Sequence, residues 1–223
     1  MNKKSPYKNK DGVQVPRCTQ IIDILGFNKA ALIGWAKKFG QKATEISNKS
    51  LEIGTLTHKL IEAHIKNTEP PDLSAYSFDA ITLATNGFDM YQEWEQSNGV
   101  DYLECEYKII SEAYVWGGTA DAIINMGGKT YLVDFKTAKG IYVDHVVQVA
   151  AYLNGIKEEG KYNPEGVIII HIPKTIEYKE SMHVEPIEVP EEVLNDGWKA
   201  FLHARSLYDL KDKVDPYIWR HKK

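Results

Sequence analysis

The first hundred residues carry apolar positions at the spacing of helices. Apolar side chains recur every three or four residues, as Leu32, Trp35 and Phe39 do, and this period is typical of an amphipathic helix. Pro70 and Pro71 interrupt the pattern. Four helices are therefore predicted: one capped by Thr19 and running through residue 26, and others over 29–39, 53–65 and 77–96, the last ended by Asn98-Gly99.

The pattern changes to that of β-strands from Tyr102 onward. Stretches rich in β-branched and aromatic residues, separated by turn-like residues, predict three successive antiparallel strands over 102–110, 114–124 and 129–135. The pattern then predicts a helix over 143–157, strands within 166–173 and 178–188, and a last helix opened by Pro190. Together these elements predict an α/β fold in which helices cover a central mixed sheet.

The length of 223 residues fits one domain. Within it we expect a mainly helical part over 1–100, a sheet part over 101–190, and a closing helix with a tail over 191–223. The first dozen residues and the last few are expected to be loose ends.

Composition and charge exclude several classes of protein. Hydrophobic residues make up 43% and charged residues 26% of the chain, which argues against disorder and against a membrane protein. No apolar run is long enough to cross a bilayer, and no apolar leader follows the basic start, so we expect a cytoplasmic protein of a bacterial or phage-infected cell, with no membrane partner. Cys18 and Cys105 are too few for a four-cysteine iron–sulfur cluster. At a net charge of −4, any nucleic-acid site must be a local basic groove.

A pair of acidic residues stands out in the segment GGTADAIINMGGKTYLVDFKT, residues 117–137. Gly127-Gly128 favours a two-residue hairpin turn, and a turn there pairs Asp121 with Asp134 at a Cα separation of roughly 4.5 to 5.5 Å. Carboxylates at paired positions repel each other and destabilise a sheet. A bound Mg²⁺ or Mn²⁺ is the simplest compensation, because both ions prefer oxygen ligands.

A lysine joins this pair of carboxylates. Strand alternation puts Lys136 on the same face as Asp134, while Phe135 points to the opposite face. Hydrolysis of a phosphodiester needs such a set: cations to neutralise phosphate oxygens, an activated water, and a donor that orients the water or stabilises developing charge. Glu104 and Glu106 share a face of the preceding strand, and either is a candidate third carboxylate.

An isolated D-x-K tripeptide is also typical of a solvated edge strand, but here it belongs to an ordered set of motifs. A G-T-x-x-H motif lies upstream as Gly54-Thr55-Leu56-Thr57-His58, and a Q-x-x-x-Y motif lies downstream over 148–152. Together with Asp121, these motifs resemble the PD-(D/E)XK nuclease superfamily in its RecB-type branch. Within that branch the chain looks like the mitochondrial genome maintenance exonucleases and related phage exonucleases, and the likeness spans nearly the whole chain.

The resemblance implies a restriction-endonuclease-like core, Mg²⁺ or Mn²⁺ as the cofactor, and products with 5′-phosphate and 3′-hydroxyl ends. The implied catalytic residues are Lys136, Asp134, Asp121 and Glu106, and the implied metal-binding residues are Asp121, Asp134, Glu106, His58 and Phe135. The implied substrate-binding residues are His58, Thr137, Gln148 and Tyr152. Of these, Gln148 and Tyr152 are expected to brace the site and touch DNA, although both also fit the inner face of a core helix.

The predicted function is a metal-dependent exonuclease that acts on single-stranded DNA or on exposed DNA ends, with a recombination or replication protein as a candidate partner. A structure-selective endonuclease and a non-catalytic DNA-binding module of the same fold are the alternatives. Candidates for a basic groove, each also an ordinary solvated cation, are Arg17, Lys37, Lys38, Lys42, Lys59 and Lys139. Candidates for base stacking, each equally well a core residue, are Trp35, Tyr107, Trp116 and Tyr142.

Overall fold

The computed structural model describes residues 5–174 and 184–219. The helical elements are α1 (Cys18–Ile22), α2 (Lys29–Phe39), α3 (Lys42–Ile65), α4 (Phe78–Asn98), α5 (Val143–Glu159) and α6 (Glu191–Trp219), with a short 3₁₀ turn at Leu73–Ala75. The strands are β1 (Asp101–Ser111), β2 (Trp116–Met126), β3 (Lys129–Lys136), β4 (Gly166–His171) and β5 (Glu185–Glu188).

The strands form one mixed sheet in the order β1-β2-β3-β4-β5. β1, β2 and β3 are antiparallel neighbours, β4 runs parallel to β3, and β5 is antiparallel to β4. The parallel step requires a crossover connection, which α5 supplies. The predicted fold class, a central mixed sheet flanked by helices with a helical N-terminal region, is confirmed. Of the strand predicted within 178–188, residues 178–183 lie outside the described part of the chain.

Both faces of the sheet are buried. Ile123 and Leu132 pack with α1, α5 and α6 on one face, whereas Val133 and Phe135 pack with α3 and α4 on the other. Strands covered on both faces are apolar at nearly every position, so the buried Asp134 within β3 is exceptional. Among the described residues, no helix combines the length and apolarity needed to cross a bilayer.

Two helices begin elsewhere than predicted. The prediction that Thr19 caps α1 is wrong, because Arg17 is the N-cap residue and Thr19 lies inside the helix. α3 begins at Lys42 rather than at residue 53. The earlier part of α3 contains no helix breaker, but its apolar side chains, such as Ile46 and Leu51, are exposed, so no buried stripe marks this part of the helix in the sequence.

The bounds of α2 and the ends of α4 follow the predicted signals. The Ser77 hydroxyl accepts the Ala80 N–H at 3.3 Å, and Gly99 ends α4 in the left-handed conformation at a φ of 58°. α2 spans the predicted residues, but none of them is buried, and Leu32 is 59% exposed. The apolar face predicted for α2 therefore lies uncovered in this chain.

Residues 5–12, the described part of the predicted N-terminal loose end, are not loose, and they lie together with residues 13–17 against the sheet. The Tyr7 ring lies directly against Gly117, and its hydroxyl is 2.9 Å from Thr119 Oγ1. Val15 is buried, and the Gly117 N–H donates to the Pro16 carbonyl at 2.9 Å. This segment therefore packs along β2, and only a residue without a Cβ at position 117 allows so close a contact.

Candidate active site

The hairpin of β2 and β3 has the predicted turn. Gly127 and Gly128 adopt φ values of 60° and 79°, and the ladder runs in the predicted register up to the pair Ala122 and Val133. Asp121 lies one residue beyond this last pair. Its Oδ2 accepts the Phe135 N–H at 2.7 Å. A hydrogen bond to a side chain therefore replaces the next main-chain hydrogen bond of the ladder.

Asp134 and Lys136 lie together on the face of β3 that α5 covers. Lys136 Nζ donates to Asp134 Oδ1 at 2.9 Å and lies 2.7 Å from Oδ2. Asp134 is 2% exposed, and among the described residues its Oδ2 has no neighbour with hydrogen-bond geometry beyond this ion pair with Lys136. A carboxylate oxygen can accept from two sides, so this buried atom has a position left for a ligand that completes the site.

Local electrostatics reflect this burial. Burial raises the pKa of the Asp134 carboxyl, and the nearby Asp121 raises that pKa further, although Lys136 counteracts both. Burial alone would lower the pKa of Lys136, but the carboxylates of Asp134 and Asp121 outweigh that effect and raise it above its usual range. Lys136 is therefore an ammonium group at neutral pH.

The two candidate glutamates of β1 separate clearly. Glu104 is bonded to Lys161 and accepts the Tyr162 hydroxyl at 2.8 Å. Glu106 instead faces the site: partial desolvation raises the pKa of its carboxyl, and Asp121 raises that pKa further. Glu106 has a left-handed φ of 57°, a conformation that costs ~1–3 kcal/mol for a residue other than glycine. Glu106, the predicted third carboxylate, therefore lies on β1 close enough to Asp121 for the two charges to interact.

His58 approaches the site from α3. Its Nδ1 lies 3.7 Å from Asp121 Oδ1, and its ring meets the Phe135 ring edge-on at 6.2 Å between centroids. The side chain is 34% exposed, so a ligand in the cleft can reach it. The Phe135 ring itself packs against Tyr91 on the α3 and α4 face of the sheet, which leaves only its main-chain atoms as candidate metal ligands.

Gly54 explains how α3 comes so close to the sheet. A Cβ at position 54 would stand 2.8 Å from Thr137 Oγ1, just beyond β3. The glycine thus lets the helix pack directly on the residue that follows Lys136, while His58, one turn later, reaches Asp121. In the G-T-x-x-H motif, the glycine thus allows the close contact with Thr137, and the histidine places its side chain at the site.

We expect Gly54→Ala to lower the melting temperature by a few degrees and turnover by about tenfold, because the added methyl group displaces α3 from Thr137. Helix propensity alone predicts the opposite, a gain of ~1 kcal/mol. Thermal melts of Gly54→Ala, Thr137→Ala and the double variant test the contact. Recovery of stability in the double variant supports it, and additive losses contradict it.

Gln148 and Tyr152 of α5 form a chain behind Lys136. Lys136 Nζ donates to Gln148 Oε1 at 3.1 Å, and Gln148 Nε2 donates to the Tyr152 hydroxyl at 3.0 Å. Tyr152 is only 4% exposed and stacks on Trp116. The bracing role expected for this pair fits these contacts, but Tyr152 is too deeply buried to touch DNA in this structure.

The residues present fit a divalent cation with oxygen ligands. Asp121 and Asp134 supply two carboxylates on neighbouring strands, and the buried Asp134 Oδ2 contacts Lys136 in an ion pair without a hydrogen bond of regular geometry. Glu106 and His58 lie beside Asp121. Within the described ranges, no three His, Cys, Asp or Glu side chains are already gathered closely enough to hold a metal by themselves. Two protein carboxylates with the rest of the ligands from water and substrate are a common arrangement for Mg²⁺.

An open cleft of about 600 Å³ leads to this site between α3 and the ends of β3 and β4. Its lining includes Glu62, Ser50 and Lys174, which sequence reasoning did not assign to the site. Glu62 follows His58 by one helical turn, and that spacing was a usable signal. Ser50 and Lys174 gave none, because they are brought to the cleft only by the extension of α3 and by the end of β4.

The proposed basic and aromatic sets are dispersed. Lys59 lines the cleft, and its Nζ donates to the Tyr76 hydroxyl at 3.0 Å. Trp116 is fully buried, so the core alternative is right for it. Tyr107 donates a hydrogen bond to Glu159 at 2.7 Å. The only one of the four aromatic candidates classed as exposed is Tyr142, at the start of α5.

No family model matches the chain, and no curated protein matches it. Solved structures similar to it include the following two. The crystal structure of LHK-Exo in complex with dAMP is 9% identical and covers 92% of each chain at a TM-score of 0.42. The crystal structure of SSO0001 is 18% identical and covers 68% of this chain and 74% of its own, at a TM-score of 0.31. Similarities of this size do not assign chemistry to any residue.

Proposed function

We propose that this chain is a divalent-metal-dependent DNA exonuclease that hydrolyses phosphodiester bonds from single-stranded or exposed DNA ends and leaves 5′-phosphate and 3′-hydroxyl products. The observation that carries the proposal is the group formed by Asp121, Asp134 and Lys136 beside an open cleft, which Lys136 and His58 line. The buried Asp134 carboxylate beside the mostly buried Lys136 ammonium group has little structural benefit, since an apolar core would be as stable.

The roles of the side chains follow from their surroundings. Asp121 and Asp134 would hold Mg²⁺ or Mn²⁺, with Glu106 and His58 at its margin. When bound, the cation neutralises the phosphate oxygens. Lys136 is charged, so it acts as a hydrogen-bond donor to the phosphate or to the attacking water rather than as a base.

Gln148 and Tyr152 fix the position of the Lys136 ammonium group through their chain of hydrogen bonds. A donor held in advance costs no reorganisation when charge develops on the phosphate. The two residues are therefore positioning residues in this proposal, and Thr137 and His58, which face the cleft, are the candidates for contact with DNA.

The direct test compares linear and circular single-stranded DNA. We expect the protein to release nucleotides from an end-labelled linear strand in Mg²⁺ or Mn²⁺, to leave closed circles intact, and to lose all activity in EDTA. Gel analysis of both substrates measures this. Equal cutting of circles and linear strands would favour an endonuclease, and cutting in EDTA would refute the metal requirement.

A further inference from the structure

Lys174 is a cation of the cleft whose hydrogen bonds within the described part of the chain include none to a carboxylate. Lys174 follows β4, and its Nζ donates to the carbonyl and the hydroxyl of Ser50, both at 2.8 Å. Among residues 5–174 and 184–219, no carboxylate pairs with it. The other lysines of the cleft are engaged differently: Lys136 is paired with Asp134, and Lys59 donates to the Tyr76 hydroxyl.

The surroundings of Lys174 fit an anion. Burial lowers the pKa of its ammonium group, and no charge of the described residues compensates for that cost. An ammonium group has three donors, and the two bonds to Ser50 leave one for a ligand. Hydroxyl groups stand nearby, because Ser47 and Ser50 of α3 and Thr137 line the same cleft. Lysine with serine and threonine hydroxyls is a common set for phosphate contacts in nucleic-acid complexes.

The site lies next to the reacting centre. A Cβ on Gly54 would be 2.8 Å from Thr137 Oγ1 and 4.0 Å from Lys174 Nζ, so the threonine and the lysine flank one point of α3. Thr137 directly follows Lys136 in the chain, and the Ile172 N–H donates to the Lys136 carbonyl at 2.8 Å. β4 therefore ties Lys174 to the strand that carries the proposed catalytic lysine.

We propose that Lys174, with Ser50 and Thr137, binds a second DNA phosphate, adjacent to the one that is cleaved. The site rests on the proposed function, since it assigns a place to the substrate of the same cleft. It holds the strand on the side of the cleft away from Glu106 and Asp121, and so sets which phosphate meets the carboxylates. The phosphate is either the terminal 5′-phosphate of a strand or an internal phosphodiester, and both present the same charged oxygens.

The test is a scan with neutral phosphates. Oligothymidylates that each carry one methylphosphonate, and matched strands with a 5′-phosphate or a 5′-hydroxyl, are bound in Mg²⁺ to the Lys136→Ala protein, with affinity measured by fluorescence anisotropy. We expect one phosphate whose neutralisation weakens binding about tenfold or more. In the Lys136→Ala, Lys174→Ala double variant, the affinity for the unmodified strand should fall by a similar factor. A methylphosphonate at that one position should then cause no further loss of affinity, while the effects at other positions stay the same.

Several controls separate this outcome from others. Lys174→Arg should retain the sensitivity, and Ser50→Ala, which keeps the main-chain acceptor, should reduce it partly at the same phosphate. Lys49 is an exposed cation of α3, the helix that carries Ser50, and it is paired with Asp79. Lys49→Ala should leave the pattern of sensitivity to methylphosphonates unchanged. Sensitivity at the 5′ end identifies a terminal phosphate, and sensitivity inside the strand identifies an internal one.

The inference is overturned if Lys174→Ala weakens all strands equally with the pattern unchanged, or if affinity is unaffected while thermal stability falls. Either result leaves Lys174 as a surface charge or as a structural partner of Ser50. Failure of the proposed function appears differently, as absence of DNA cleavage by the wild-type protein in any divalent metal. If the protein cuts DNA but no phosphate position depends on Lys174, the proposed function stands and the Lys174 phosphate site is wrong.

Discussion

Asp134→Asn is expected to lower DNA cleavage by at least about a thousandfold, because it removes a negative charge that holds the metal and weakens the neutralisation of the phosphate. Steady-state rates on an end-labelled single strand in Mg²⁺ and in Mn²⁺ measure the effect. The matched control is Glu104→Gln, the same change from carboxylate to amide on β1, which β2 separates from β3. Glu104 is paired with Lys161 outside the site, so its variant should keep cleavage within a few-fold of wild type.

The same substitution should not destabilise the fold. Burial and Asp121 raise the pKa of Asp134 in the folded protein above that of an exposed carboxyl. A raised carboxyl pKa means that stability is fully present below the unfolded pKa and is lost as pH rises through the folded pKa. Asparagine mimics the neutral form and keeps Oδ1 as an acceptor for Lys136, and the carboxylate of Asp121 remains as a counter-charge for the lysine. In EDTA at pH 8 we expect a melting temperature equal to or above that of wild type, and a drop of several degrees would contradict the argument.

The parts of the fold that the sequence predicts are those in which local chemistry agrees with the tertiary structure. Gly127-Gly128 occupies a turn that needs positive φ at both positions, and it fixed the register of β2 and β3. The alternation of Asp134, Phe135 and Lys136 follows from strand geometry alone. These two features predict from the sequence that the carboxylate of Asp134 and the ammonium group of Lys136 lie together.

Other features depend on contacts between distant segments, and the sequence does not reveal them. The packing of Tyr7 on Gly117 makes the N-terminal residues part of the fold. The choice between Glu104 and Glu106 is made by Lys161, which follows α5 and takes Glu104 out of the site. Lys174 enters the cleft only because β4 lies beside β3. Each of these contacts joins residues far apart in the chain, so no local pattern records it.

The strand pairing is interrupted at the site, although the register shift of β1 lies earlier, between Tyr102 and Glu104. No ladder pair includes Asp121 on either side: the β2 and β3 pairing stops at Ala122 and Val133, and the β1 and β2 pairing passes over Glu106. Glu106 also has the left-handed φ. Strand irregularities of this kind turn a side chain away from its regular direction and are frequent near active sites. The local cost is consistent with selection for placement of carboxylates rather than for stability.

Lys136→Ala should separate catalysis from binding. We expect turnover to fall by about 10²–10³-fold, while the dissociation constant for single-stranded DNA changes by less than about threefold. The side chain is 16% exposed, and its donors are already engaged by Asp134 and Gln148, so it contributes little to the attraction of distant phosphates. Single-turnover rates and anisotropy titrations measure the two quantities, with the exposed Lys199→Ala as a charge-matched control.

Stability distinguishes this proposal from a purely structural ion pair. Removing Lys136 leaves the buried Asp134 without its counter-charge, a loss that costs ~3–5 kcal/mol when one partner of a buried pair is deleted. If Asp134 holds a divalent cation, Mg²⁺ should restore most of this loss, because the ion replaces the missing positive charge. We therefore expect Mg²⁺ to raise the melting temperature of Lys136→Ala more than that of wild type, and to have no such effect on the Asp134→Asn, Lys136→Ala double variant. An equal shift of the melting temperature in all three proteins would mean that the cation binds elsewhere. In the kinetic experiment, equal losses of turnover and affinity in Lys136→Ala would make Lys136 a DNA-binding residue without a role at the reacting phosphate.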